Sequence, residues 1–505
     1  MPVLAVAYGI DLGTSNSSIM VSRGDGTLVP VTDPVSGQVA VPTSVCVGPE
    51  GKLLVGAAAE NGKRLRPTEY RSEFKRDIGE DAPSPLGGRS YTPLELAAEV
   101  LRFLREQAER TVYGKPGRVV MTVPVTWAQT RRNELMAAAA QAGFNVRKIV
   151  LETEPEAAIR AAFEGAIEGP GTVLVHDLGG GTFDCAVARR AADDSFTILG
   201  SRGLDNIGGT DFTRGVLALL RAKFPDRTAQ LLDGPAHMAD TLRRRIQLFD
   251  TCETIKIRLS VRRTYEDLVP ELVPPVELTL PRAEFEDLVR PLVQRTVDSC
   301  EAMLRDAGLS WADVDRVIPV GGASRMPLVG ALLAKRSGSV VQRLDEPELA
   351  VVRGAVLSAR GRLEQEEAKR RAKAEAKAKA ERERQAKKAA DAERRRREQA
   401  AREQREKKAA ELARETVKKA KKEEEKASTT THSVSSPSTS SSSTTSSSSS
   451  SSTPPGELVG GGCLGALAGA VLSGFAGAVF GGPSEGLIAF FVIAGAVIGA
   501  FNASR

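Results

Sequence analysis

Apolar residues follow two rhythms over residues 1–360. Val3–Tyr8, Val119–Val125, Thr172–His176 and Val317–Val320 are short, mostly β-branched runs bounded by turn residues, and they predict strands. Pro93–Thr111 and Thr130–Ala142 space their apolar residues three and four apart, the period of a helix with one buried face. Strands alternating with helices predict an α/β architecture. Glu80–Ser90 follows neither rhythm and reads as irregular chain.

The rhythm stops at residue 361. Residues 361–427 are almost wholly Ala, Lys, Arg, Glu and Gln, with Leu363, Leu412 and Val417 as the non-alanine apolar side chains. These are strong helix formers, but a coiled-coil seam needs apolar a and d positions that are missing here. The pattern predicts a solvated charged stalk, supported by i,i+4 pairs such as Glu367/Arg371 and Glu403/Lys407. If continuous, it would be about 100 Å long at ~1.5 Å per residue. An interaction arm for an acidic partner or anionic lipid is the alternative. Residues 428–456 are almost wholly Ser, Thr and Pro, the composition of a disordered linker.

Residues 457–505 turn apolar. Cys463–Phe480 and Leu487–Phe501 carry no charge and flank a turn at Gly481–Gly486. At 18 and 15 residues they are slightly short for a span of ~20. Gly461, Gly465, Gly469, Ser473, Gly477 and Gly481 recur every fourth residue, and Gly495 and Gly499 repeat the spacing. On a helix they form the ridge of small residues that lets membrane helices approach closely. With no polar face to meet water, a transmembrane helical hairpin is the preferred reading, and a buried hairpin in a soluble bundle is the other.

Charge sharpens this division. The net charge is +6, yet Arg362–Lys426 holds 25 Lys and Arg against 16 Asp and Glu, a surplus of nine, so the remainder carries −3. The basic character belongs to the stalk, and the α/β part does not read as a nucleic-acid binder. The five cysteines are widely spaced without a C-x-x-C, which suits a reducing compartment and free thiols. The first apolar run leads straight into a glycine loop and reads as a strand, not a cleavable leader.

The candidate chemistry lies in two echoing strings, Gly9-Ile10-Asp11-Leu12-Gly13-Thr14-Ser15-Asn16-Ser17 and Asp177-Leu178-Gly179-Gly180-Gly181-Thr182-Phe183-Asp184. Each sets an Asp at a strand end, then glycine, then a hydroxyl. Such a strand–turn–strand can hold a phosphate: glycine brings backbone N–H groups close to the anion, hydroxyls donate to it, and the Asp orients Mg²⁺-bound water. Two loops of this kind facing each other would clamp one nucleotide between two lobes.

Three further elements fall between these strings in one order: Phe74-Lys75-Arg76-Asp77-Ile78-Gly79, Val119–Trp127 and Glu154-Pro155-Glu156-Ala157-Ala158. Val320-Gly321-Gly322-Ala323-Ser324-Arg325-Met326-Pro327 follows them. Together the set resembles the actin-like ATPase domain of the DnaK-type heat-shock chaperones, over residues 1–360. The resemblance implies a two-lobed α/β fold with ATP or ADP and Mg²⁺ in the cleft. By motif, Asp11, Gly13, Thr14 and Ser15 match the first phosphate loop, and Asp177, Gly179, Gly180, Gly181 and Thr182 the second. Lys75 matches the lysine that orients the attacking water, Asp184 the carboxylate beside that water, and Glu154 a carboxylate near the metal's hydration shell. Asp11 and Asp177 would hold the metal through water. Gly321, Gly322, Ser324 and Arg325 resemble the adenosine loop, and Glu253 and Lys256 the helix that meets the ribose. Phosphoryl transfer asks a protein mainly for positioning and charge neutralisation, which this set can supply.

Two departures bear on function. Ile257 stands where the family carries a second adenine-stacking arginine. After Arg360 no run of alternating strands occurs, which is where the family's peptide-binding β-sandwich stands. The expected function is therefore a slow ATPase with nucleotide-dependent lobe closure. The hairpin would anchor it to the cytoplasmic face of a membrane, with output passing to a protein partner or through the stalk. The alternatives are a nucleotide-binding membrane scaffold without turnover, a small-molecule kinase of the same fold, and a chaperone that holds clients through its ATPase domain or stalk. Three smaller expectations complete the reading. Gly208-Gly209-Thr210-Asp211 also matches a motif of the family, with a turn into a helix starting near Asp211 as the alternative, Asp345, Glu346 and Glu348 are a helix N-terminal cluster, and His176 is a satisfied strand residue.

Overall fold

Two mixed sheets repeat one construction. The computed structural model describes residues 6–112, 114–165, 169–193, 195–234 and 239–427; the Ser/Thr linker and the apolar segment 457–505 lie outside the described residues, as does the start of the Val3–Tyr8 run. In the first sheet β1 (Ala7–Asp11) pairs antiparallel with β2 (Asn16–Ser22), which pairs with β3 (Leu28–Pro30). The other edge of β1 takes β4 (Arg118–Val123) in parallel, followed by β5 (Ile149–Thr153), for an order β5-β4-β1-β2-β3. In the second sheet β6 (Gly171–Leu178) pairs antiparallel with β7 (Thr182–Arg190), which pairs with β8 (Phe196–Asp205). The other edge of β6 takes β9 (Arg316–Val320) and then β10 (Val340–Val341), for an order β8-β7-β6-β9-β10. Each sheet is thus centred on a hairpin whose tip is one of the two glycine loops. Register sets Asp11 opposite Ser18, and Asp177 opposite Asp184, so each opposed pair shares a sheet face.

The helices α1 (Pro93–Thr111), α2 (Gln129–Gln141), α3 (Glu154–Gly165), α4 (Gly209–Lys223), α5 (Ala239–Val261), α6 (Arg282–Asp306), α7 (Pro327–Ser337) and α8 (Ala350–Ala427) flank these sheets or follow them. α1 shows why the sequence folds this way locally. Thr92 accepts from the Glu95 amide, Glu95 accepts back from the Thr92 amide at 2.9 Å, and Pro93 opens the first turn, a complete capping box. Leu96, Val100, Leu101, Leu104 and Ala108 then bury one stripe. α4 begins at Gly209, two residues before the expected start.

Glu80–Ser90 is irregular only over its first four residues. Ser84–Leu86 and Arg89–Tyr91 form an antiparallel hairpin, with Gly87 at φ 56° and Gly88 at φ 79°. That turn needs two residues of positive φ, which Gly-Gly supplies. Three-residue strands are too short for an alternation to show, so only the turn was legible.

Each lobe has its own core, and a third apolar layer lies between the sheets: Ala157, Ala158, Ile159 and Ala162 of α3 pack with Val173, Val175, Val351 and Ala355. The first turns of α8 belong to this layer. The charged segment is the later part of that same helix, and from Ala368 to Glu423 every side chain is exposed. Its ion pairs include Glu393–Arg397 at 2.7 Å and Arg402–Glu406 at 3.1 Å. Exposed pairs of this kind contribute a few tenths of a kcal/mol each.

Gly354 is where α8 meets α3 backbone to backbone. A Cβ there would lie 2.9 Å from the Ala157 Cα and closer still to its carbonyl. Gly354→Ala should therefore cost more than ~2 kcal/mol in urea unfolding, reversing the ~1 kcal/mol gain expected in an exposed helix. An unchanged or raised midpoint would show that the two helices do not touch.

Candidate functional site

The two hairpin tips face each other. Leu12–Ser15 connects β1 to β2, and Gly179–Gly181 connects β6 to β7. A Cβ on Gly180 would lie 2.8 Å from Ser15 Cβ, and one on Gly181 would lie 2.7 Å from Thr14 Cβ. Only glycine permits that approach. Beneath the loops opens a cleft of about 540 Å³, within the range of small-molecule sites.

Its floor is built from buried charge. Lys75 Nζ donates to Glu154 Oε1 at 2.8 Å, with side-chain exposures of 4% and 10%. Asp11, the last residue of β1, accepts from the Thr122 hydroxyl at 2.8 Å. Asp177 lies on β6, buried. Asp184, on β7, accepts from the Val125 amide at 2.8 Å. Burial and then the Glu154 charge lift the Asp11 carboxyl, Lys75 and the Thr122 hydroxyl oppose them, and the balance stands at about 6. Burial, then the Glu154 charge, also holds Asp177 and Asp184 well above the usual carboxylate range. Burial disfavours the Lys75 ammonium, but Glu154 and Asp11 outweigh it and its pKa is raised. The cluster therefore gathers more carboxyl groups than its one lysine can hold ionised, and they retain protons that exposed carboxyls would release.

Lys75 is held by its own turn. The 3₁₀ helix Phe74–Asp77 is entered through Glu73 at φ 61°, a left-handed conformation that a side chain adopts at a cost. The fully buried Phe74 anchors it. The Glu73 carboxylate accepts from Arg214 at 2.9 Å, and Arg76 donates to the Gly181 carbonyl at 3.0 Å and to Asp211 at 2.9 Å. Asp211 in turn accepts from the Gly208 amide at 2.9 Å. The turn bearing Lys75 is thus stapled to the second glycine loop and to the start of α4.

At the far end, Lys256 on α5 donates to the Gly209 carbonyl at 3.1 Å and to Glu253 at 3.3 Å. Arg325 is gripped by Glu348 through bonds of 2.8 and 2.9 Å and also reaches the Asp345 carbonyl at 3.2 Å. Ile257, 56% exposed, lines the cleft on the same side.

The cleft gathers Asp11, Gly13, Thr14, Ser15, Lys75, Glu154, Asp177, Gly179, Gly180, Gly181, Thr182, Glu253, Lys256, Gly321, Gly322 and Arg325. Asp184 and Ser324 do not line it. Asp184 sits behind the floor, 1% exposed, and Ser324 turns inward to donate to the Gly321 carbonyl at 2.7 Å, closing the short helix Gly322–Arg325. Glu348 lies in the turn Pro347–Leu349 that leads into α8. His176 is buried in the second lobe, with Nε2 2.9 Å from the Thr296 hydroxyl and Nδ1 without a partner; burial lowers its pKa to about 4. Sequence reading missed Arg76 and Trp127 as parts of the site. Both stand inside motifs already singled out, where Lys75 and the strand drew the attention. Among the described residues, no group of three or more His, Cys, Asp or Glu is placed to hold a metal directly.

The family model described as Hsp70 protein matches residues 82–362, a span that contains Glu154 and the second glycine loop and follows the first loop and Lys75. "Chaperone protein DnaK" of Thermotoga neapolitana is 32% identical over 358 residues, and that of Elusimicrobium minutum 30% identical over 364. Each alignment covers 70% of this chain and 58% of the relative, so the chain spans under two thirds of the length of the curated relatives it matches.

The raised Asp11 carboxyl has a consequence for stability. The native state keeps that proton up to about pH 6, whereas the unfolded chain releases it near 3.8. Between those values the unfolded state binds fewer protons, so this residue's contribution to stability falls as pH rises. Asp11→Asn removes the penalty. Without nucleotide, its stability relative to wild type should improve between pH 4 and pH 7, by up to ~3 kcal/mol for a shift of about two units. A stability difference independent of pH would refute the assignment.

Proposed function

The chain belongs to the Hsp70 family, and on that premise we propose that it binds ATP with Mg²⁺ in the cleft and hydrolyses it slowly, its lobes closing on the nucleotide. The observation that carries this reading is Lys75, buried against Glu154 where the two glycine loops meet. The residues fit the ligand. The glycines at 180 and 181 let the two loops close to within contact, so that both present backbone and hydroxyls to the cleft, and the excess of buried carboxyl groups calls for a further cation. When bound, Mg²⁺ would offset phosphate charge, held through water by Asp11 and Asp177. Thr14, Ser15 and Thr182 would donate hydroxyls to phosphate oxygens. Lys75 would stabilise charge developing on the terminal phosphate and orient the attacking water, and Glu154 would fix Lys75 in place. Asp184 would polarise that water from behind the floor. Gly321, Gly322 and Arg325 would bound the adenosine end, with Glu253 and Lys256 at the ribose.

Lys75→Ala and Asp184→Asn should each lower ATP turnover by ~100-fold or more. Unchanged turnover in both variants would defeat the reading. A second reading, a scaffold that holds nucleotide without turnover, draws support from the apolar Ile257 at the adenosine end, where a cation–π partner would be lost. Equal binding of ADP and ATP with no hydrolysis would favour it.

We further propose that the segment 457–505 anchors the protein to a membrane, with the ATPase domain on the cytoplasmic side beside the basic stalk. Its support is the uncharged runs and their four-residue glycine spacing. Among the described residues no helix is long and apolar enough to cross a membrane. Fractionation should find the full chain with membranes and a version ending at Pro455 in the supernatant. Equal partition of the two would remove the anchor.

A further inference from the structure

Behind the floor of the cleft lies a second cavity of about 90 Å³, room for several water-sized groups. It shares Thr14, Lys75, Gly181 and Thr182 with the main cleft. None of the adenosine-end residues lines it. The two cavities therefore meet at the terminal-phosphate end of the nucleotide site.

The second cavity has walls of its own. Arg76, Trp127, Arg131, Asp205 and Asn206 line it. Three cations face one carboxylate there, and that carboxylate already accepts from the Thr126 hydroxyl at 2.7 Å. Lys75 is engaged by Glu154 and Arg76 by Asp211. Arg131, in the first turn of α2, is the cation least committed: its contact with the exposed Glu80 is 3.4 Å long. Trp127 is 4% exposed and lies with its ring centroid 5.5 Å from Lys75 Nζ. A small, half-open, cationic space with hydroxyls at its inner end suits a tetrahedral oxyanion.

We propose that this cavity is a vestibule that receives inorganic phosphate after hydrolysis, with Arg131 as its principal anion contact. The proposal rests on the ATPase reading above. ADP left in the main cleft stands between the new phosphate and the adenosine side. The vestibule opens on the other side, past Thr14 and Thr182. Arg131 thereby becomes a product-binding residue that no motif marks.

The chain has two tryptophans, Trp127 and Trp311, so a Trp311→Phe background leaves Trp127 as the reporter. Full-length protein saturated with MgADP is titrated with inorganic phosphate at constant ionic strength. The fluorescence response should saturate. Arg131→Gln should weaken phosphate about tenfold, the loss of one charged hydrogen bond, and Arg131→Lys should recover part of that loss. Equal phosphate affinity in wild type and Arg131→Gln would overturn the vestibule. So would the absence of a response in protein that binds MgADP by calorimetry, and that outcome leaves the ATPase reading standing. Failure to bind MgADP at all would defeat that reading, and the vestibule with it.

Discussion

Lys75 is buried beside Glu154, and Asp11, Asp177 and Asp184 crowd the same region from three strands. Gathering four carboxylates around one ammonium runs against folding, and the raised carboxyl pKa values are the mark of that cost. The rest of the site can be understood as what holds the arrangement in place. Register sets Asp177 opposite Asp184. Glycines at 180 and 181 let the two loops touch. The Phe74 turn, strained at Glu73, is stapled across to Asp211 and Arg214. Natural proteins accept local destabilisation of this kind at functional sites.

The same arrangement joins the lobes. Arg76 and Glu73 reach from the first lobe to the second, and at the outer rim Lys63 bonds Asp250 at 2.7 Å. These contacts are partly buried and polar, the kind that can exchange for others when a ligand changes the charge between them. The apolar layer of α3 and the first turns of α8 is different. It packs backbone against backbone at Gly354, which fixes the start of α8 against α3.

Much of this was legible in the sequence, for identifiable reasons. The strands carrying Asp11 and Asp177 announce themselves because they are mostly apolar and run directly into a glycine loop. Pro93–Thr111 was readable to the residue because its cap, its proline and its stripe agree. What was not legible depends on tertiary placement. Ser324 belongs to the adenosine motif, yet its hydroxyl serves the turn, and nothing local shows which way it points. Arg76 and Arg131 look like solvated cations until the fold sets them against a cavity. The change of composition at 361 marks where burial fades along α8, while the helix itself starts at Ala350. Composition reports exposure, and a helix crosses that boundary without a break.

On the proposed reading, the cleft holds a surplus of buried carboxyl groups that keep their protons until a cation-bearing nucleotide binds. Protons retained by those carboxyls must leave when the cation arrives. The direct measurement is calorimetric titration of the full chain with MgADP at pH 6 in two buffers of different ionisation enthalpy. The account predicts net proton release beyond that of MgADP itself. A binding heat that shows no such release would contradict it.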